Sequence, residues 1–220
     1  MKEEYVVDIT GLGVCFDRRW ILRGFDVRVA GGEKVALSGP SGSGKSTVLK
    51  CILGLVVPQE GSIRVFGRPL DGLGVWEARR SLAYVAQEPD LGAGSVRQVI
   101  ERPFLYKGNA AMRGNLARLP VLLERFNLPQ SLLDMEVSTL SGGEKQRIAL
   151  ISAILLDRPV ILLDEASSAL DKANKQAVAE FFQQAGELTV LSVAHDPEWL
   201  GFSDRVVGLA DRTDKTGVQP

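Results

Sequence analysis

Gly39-Pro40-Ser41-Gly42-Ser43-Gly44-Lys45-Ser46-Thr47 decides how the rest of the chain is read. An apolar run, Val35-Ala36-Leu37, precedes it, and Val48, Leu49, Ile52 and Leu53 follow at the spacing of one helix face. Gly39, Gly44, Lys45 and Ser46 stand at the fixed positions of a strand–loop–helix phosphate cradle. Glycines permit backbone geometries that a Cβ would obstruct. Successive N–H groups can then face phosphate oxygens, aided by the positive end of the helix dipole. The reading gives Lys45 the β- and γ-phosphates and Ser46 a Mg²⁺ ion. Residues 39–47 thus predict a site for a nucleoside triphosphate. A guanine nucleotide is disfavoured, because Asn174-Lys175-Gln176 continues with Ala177 instead of the aspartate that would read guanine.

A second chemical signal lies far downstream. Val160-Ile161-Leu162-Leu163 is a continuous apolar run, as in a strand buried on both faces, and it ends in Asp164-Glu165. Unpaired charge at the end of a buried strand is costly, and a divalent cation on Asp164 relieves that cost. Glu165, one residue later, is placed to polarise a water for in-line attack on a γ-phosphate. Leu140-Ser141-Gly142-Gly143-Glu144-Lys145-Gln146-Arg147 is a third signal. Its serine and glycine N–H groups open a helix and form another anion site. A plain capping box describes it too, but leaves two helix-weakening glycines in the first turn unexplained.

Between these signals the element types change. The first third reads as short strands, including the alternation of Phe25, Val27 and Val29, a turn at 30–33, a strand opened by Ile63 and Val65, and another at Ser81 to Ala86. From Pro89 to about Asp157 the pattern is helical. Ser95 to Gln98 forms a capping box, prolines 120 and 129 start or break helices around Val121 to Phe126, and Ile148, Ile151 and Leu155 are candidate core. Strands return at Thr189 to Ala194 and Arg205 to Leu209, and the polar tail from Asp211 to Pro220 reads as frayed. The sum is an α/β core interrupted by a helical insertion.

Composition excludes several classes. The 220 residues are 45% hydrophobic and 24% charged, enough to bury a core, and the net charge of -1 predicts no attraction to nucleic acid. Two cysteines, Cys15 and Cys51, do not make a disulfide scaffold and read as small buried apolar residues; one histidine makes a zinc site implausible. No apolar run approaches the roughly 20 residues of a membrane helix. Met1-Lys2-Glu3-Glu4 has no following apolar block, so the sequence carries no sign of a secretory leader.

With these residues in view, the chain resembles the ATPase subunits of ABC transporters over about residues 5 to 210. The stretch 140–147 resembles that family's signature motif. Gln87 matches the glutamine that senses Mg²⁺ and the attacking water, Ser168-Ala169-Leu170-Asp171 the loop that touches the opposite subunit, and His195 the histidine that holds the γ-phosphate and Glu165. Phe16 occupies the adenine-stacking position, with Trp20 as its rival. Ala166 and Ala194 depart from the proline and threonine common in the family. The resemblance implies a P-loop NTPase (RecA-like) core with an N-terminal antiparallel β subdomain (1–88 and 158–210) and an inserted helical subdomain (89–157), followed by a tail (211–220). It implies ATP and Mg²⁺ as ligands, with Ser46, Gln87 and Asp164 near the metal, and residues 39–47, Ser141, Gly142, Gly143, Glu144 and Asp171 around nucleotide. It implies catalysis by Glu165, His195, Gln87 and Lys45 in a homodimer that sandwiches two ATP, docked on an integral membrane permease at the cytoplasmic face of the cell membrane. Residues 124–129, 144–150 and 168–175 are similar to the ATPase of bacterial two-component iron-export systems. A soluble ABC ATPase of iron–sulfur cluster assembly remains an alternative. DNA-repair relatives carry long coiled coils or zinc modules, of which the sequence shows neither.

Overall fold

The computed structural model describes residues 5–209. Two sheets and a helical segment are arranged around two apolar cores. The chain opens with β1 (Tyr5–Phe16) and β2 (Arg19–Ala30), an antiparallel pair turned at Asp17 and Arg18, both at positive φ. These strands have 12 residues each, longer than the short strands expected. β3 (Lys34–Ser38) runs into the glycine-rich loop and α1 (Lys45–Ile52). β4 (Glu60–Val65) and β5 (Arg68–Pro69) return to the first sheet, whose order is β2-β1-β4-β5. α2 (Gly72–Arg79), which no pattern predicted, leads to β6 (Leu82–Val85).

The helical segment is less regular than expected. α3 (Val96–Glu101) and α4 (Leu119–Arg125) flank 3-10 turns at Arg102–Leu105 and Lys107–Arg118, and the second of these buries none of its side chains. Gly108, Asn109, Gly114 and Asn115 account for this: none favours an α-helix interior. Asn115 and Asn109 bond elsewhere, Asn115 donating to the Leu155 carbonyl at 3.0 Å. Pro120 lies in the first turn of α4, and Pro129 precedes a 3-10 turn at Gln130–Asp134, so both start elements. A last 3-10 turn, Val137–Thr139, delivers the chain to α5 (Gly142–Leu155).

β7 (Val160–Asp164), α6 (Lys172–Gln184), β8 (Thr189–Val193), α7 (Pro197–Leu200) and β9 (Arg205–Gly208) complete a parallel sheet of order β6-β7-β8-β3-β9. β7 explains its own sequence. Val160 and Leu162 enter the core shared with the first sheet and α1, while Ile161 and Leu163 enter the core built on α3–α6. A strand buried on both faces needs no polar alternation. The expected core residues Ile148, Ile151 and Leu155 are all buried, and Phe126, fully buried, meets Phe181 edge-on at 5.5 Å.

The cysteines divide. Cys51 is buried, which pushes its thiol up to about 11. Cys15 is only half-buried, contrary to expectation: the register between β1 and β2 slips between Val14 and Cys15, and such an irregularity re-aims the side chain. Among the described residues no helix is long and apolar enough to cross a membrane. The residues at 1–4 and the tail at 211–220 lie outside the described residues.

Candidate nucleotide site

Four chain segments meet at the carboxyl ends of the parallel strands, the edge where open α/β sheets bind ligands. β3 supplies the loop 39–44, β7 supplies Asp164 and Glu165, β8 supplies His195 and β6 supplies Gln87. The loop is held by tight packing at its base. Gly44 has φ +93, and a Cβ there would stand 2.7 Å from the Leu22 side chain, so β2 closes against the start of α1. Gly42, also at positive φ, faces open space. Among the described residues, Ser43 Oγ and Gln146 Oε1 are buried without a hydrogen-bond partner. An orphaned hydroxyl inside a glycine-rich loop is what a phosphate oxygen would satisfy. α1 likewise begins without a side-chain cap, leaving its first N–H groups to a ligand.

Lys45 is 5% exposed, and its ammonium donates to the carbonyls of Gly39 at 2.9 Å and Pro40 at 2.7 Å. Burial lowers its pKa, while the charges of Glu165 and Asp164 work against that shift. Asp164 is buried, and its carboxylate is met by hydroxyls. Ser46 Oγ donates to Oδ1 at 2.7 Å, and Tyr84 OH donates to Oδ2 at 3.2 Å. Burial, and then the Asp164 charge and hydrogen bond, push the Tyr84 phenol up to about 12. Tyr84 escaped the sequence reading. The available signal was a hydroxyl inside an otherwise apolar strand.

Ser46 and Asp164 offer hard oxygen atoms on opposite sides of one short gap. Among the described residues no three His, Cys, Asp or Glu side chains gather to form a metal cage. That donor set fits Mg²⁺, which is commonly held by one or two protein oxygens together with phosphates and water.

Beside Asp164, Glu165 has φ +49, a conformation costly for a residue with a Cβ and concentrated at functional positions. Its N–H donates to the Val193 carbonyl at 3.0 Å, tying it to β8. Gln87 Nε2 donates to Glu165 Oε2 at 3.0 Å, and His195 Nε2 lies 3.4 Å from Oε1. One carboxylate thus carries an amide on one oxygen and an imidazole on the other. Next to His195, Asp196 is bonded by Lys175 of α6; that hydrogen bond holds the Asp196 carboxyl below the usual carboxylate range. This link also escaped the sequence reading.

Ser141 and its neighbours take no part in this convergence. Ser141 accepts from the Glu144 N–H at 3.3 Å, and Glu144 accepts from the Ser141 N–H at 2.8 Å and the hydroxyl at 2.7 Å, a complete capping box. No hydrogen bond or ion pair among the described residues joins 141–144 to Lys45, Ser46, Asp164 or Glu165. The two glycines separate in role. A Cβ on Gly143 would stand 3.0 Å from the Ala169 carbonyl, so Gly143 lets the helix start approach the 168–171 loop. Gly142 faces open space and has no packing reason to be glycine. Asp171 caps α6, both of its carboxylate oxygens accepting from Asn174 at 2.9 Å. Buried Arg147 donates to the carbonyls of Phe126 and Asn127 and to Asn174, joining α5 to α6.

Phe16 and Trp20 also differ. Phe16 is 48% exposed at the tip of the β1–β2 hairpin. Trp20 is half-buried, with the Arg23 guanidinium 4.9 Å over its ring.

Comparison with known proteins agrees with this geometry. The family model described as "ABC transporter" matches residues 22–168. The "Probable iron export ATP-binding protein FetA" of Escherichia coli (strain K12) is 35% identical over 192 residues, covering 86% of this chain and 84% of that protein. The "Energy-coupling factor transporter ATP-binding protein EcfA1" of Geobacillus kaustophilus (strain HTA426) is 35% identical over 80% of this chain and 64% of its own length. Among solved structures, the dimeric post-hydrolysis state of the ATP-binding cassette MJ0796 bound to ADP and Pi superposes with a TM-score of 0.76 at 26% identity, covering 92% and 93% of the two chains. A phosphate loop, an acid pair at the end of a buried strand and a second helix start, all inside the matched span, have one source: this chain belongs to the ABC transporter family, as an ATP-binding subunit.

Proposed function

We propose that two copies of this chain close around two Mg-ATP, hydrolyse them, and thereby drive a separate membrane permease whose cargo is a metal, with iron export favoured. One observation carries the dimer: the phosphate loop and acid pair converge within the chain, while the helix start at Ser141 caps itself and joins none of them. In this reading Ser141, Gly142 and Gly143 of one copy meet the γ-phosphate held by Lys45 of the other, with Glu144 bracing the helix start and Asp171 at the contact between copies. The dimeric cassettes among the similar structures support it.

Each residue then has a task. Residues 39–47 wrap the phosphates with N–H groups, and Lys45 adds its charge. Phe16, the exposed ring, stacks on adenine. Ser46 and Asp164 would hold Mg²⁺, with Gln87 near them, and the bound ion would supply positive charge against the triphosphate. Glu165 takes a proton from the water whose oxygen bonds to the γ-phosphorus. The bond from that phosphorus to the β–γ bridging oxygen breaks, giving ADP and phosphate. Gln87 and His195 keep the Glu165 carboxylate aimed, each at one oxygen. The FetA match, which spans most of both chains, supports iron export. In this reading the chain sits on the cytoplasmic face of the membrane, against the permease.

Glu165→Gln is the test. Turnover should fall by about 10²- to 10⁴-fold with ATP still bound, the span expected on removing a general base. Gel filtration with Mg-ATP should show a trapped dimer. A variant that binds ATP and still elutes only as monomer contradicts the sandwich. Pull-down of the wild-type chain from native membranes should bring a polytopic protein with it.

A further inference from the structure

β6 and the residues that follow it reach both acids at the end of β7. Gln87, just past its end, reaches Glu165, and Tyr84, within it, reaches Asp164. The two strands pair in parallel, with Tyr84 opposite Leu162 and Val85 opposite Leu163. The register therefore aligns one hydroxyl with the acid two residues farther along the partner. Asp164 Oδ1 and Oδ2 each accept one hydroxyl, from Ser46 and Tyr84 respectively. A carboxylate held at one oxygen only can rotate about its terminal bond, which has a broad torsional preference. Held at both, it keeps Oδ1 turned towards Ser46.

We propose that Tyr84 is a positioning residue for the metal–nucleotide site: its hydroxyl fixes Asp164 by Oδ2 so that Oδ1 and Ser46 Oγ stay together for the divalent cation that accompanies ATP. Tyr84 touches neither cation nor nucleotide; it acts through Asp164. This rests on the functional reading above, in which Ser46 and Asp164 hold that cation. Partners of metal ligands commonly set metal affinity by about 10- to 100-fold, and Tyr84 belongs to that class.

The experiment titrates Mn²⁺ into wild-type protein, Tyr84→Phe and Tyr84→Leu, each saturated with ATP, and reads bound Mn²⁺ by electron paramagnetic resonance. Metal-free ATP affinity is measured alongside, and thermal unfolding checks the fold. Phe keeps the ring and removes only the hydroxyl. The Mn²⁺ concentration at half-saturation should rise by about tenfold in the Phe variant, with metal-free ATP affinity within about twofold of wild type. The Leu variant should show a similar rise, because it lacks the same hydroxyl. Wild-type behaviour of the Phe variant, with a shift confined to Leu, assigns Tyr84 to packing and overturns its role. If wild-type protein itself takes up no Mn²⁺ with ATP, the metal assignment of Ser46 and Asp164 fails, and the role of Tyr84 with it.

Discussion

The two glycine-bearing helix starts make opposite choices. α1 begins at Gly44 without any side-chain cap, and the buried Ser43 hydroxyl beside it has no partner. α5 begins at Ser141 with a reciprocal capping box that satisfies its end from within. A helix start that leaves donors unmet depends on a ligand for full stability. One that caps itself is stable alone and needs only an accessible face, which Gly142 provides. In the proposed reading the first holds phosphate and the second meets phosphate carried by another molecule.

Substituting Ser141→Arg separates the two starts most strongly. Turnover should fall by about 10²- to 10³-fold, as when a donor to a transition-state oxyanion is lost. ATP affinity of the isolated protomer should stay unchanged, as equilibrium dialysis would show; Lys45→Ala should instead lose binding. Mixing the two inactive variants should restore activity, because one mixed pair recreates an intact phosphate loop facing an intact Ser141. No recovery from a mixed dimer would break the comparison.

The bracing of α5 comes next. Arg147→Met strands the buried carbonyl of Phe126, at about 1–3 kcal/mol, and leaves the carbonyl of exposed Asn127 to water at a smaller cost. Urea unfolding should show that loss; a midpoint equal to wild type would contradict it. Ser141→Ala removes the cap itself, at about 1 kcal/mol. The hydrogen bonds from Ser141 hold the Glu144 carboxyl below its ordinary value. A depressed folded pKa contributes stability above the unfolded value, about 4.3, and loses it as pH falls. The melting-temperature gap between wild type and Ser141→Ala should therefore be full at pH 7 and narrow below about pH 4.

Smallest is the proposed stacking of adenine on Phe16. Phe16→Leu should weaken ATP binding by about two- to twelvefold, matching roughly 0.5–1.5 kcal/mol for a lost aromatic pair, while Trp20→Leu should change it less. The reverse order in a fluorescence titration would move the stacking ring to Trp20.

Much of this was legible because the decisive groups are local in sequence. The loop 39–47, the acids after an apolar strand and the Ser141 capping box each declare themselves within ten residues. Fold class followed from strands that flank a helical stretch. What stayed hidden joins distant residues. Tyr84 and Asp164 are 80 positions apart. Lys175 and Asp196 meet only because α6 packs beside β8. The reason for Gly143 is likewise tertiary, a close approach to Ala169 that no helix propensity reveals. The 3-10 turns were missed because hydrophobic spacing alone does not distinguish a helix from a chain that asparagine and glycine keep loosely wound.

Specific ATPase activity measured across a dilution series, with sedimentation recording the oligomeric state, tests the central claim most directly. Activity per protomer should fall as the dimer dissociates and vanish for the monomer. Undiminished turnover by protomers shown to be monomeric would contradict the shared site.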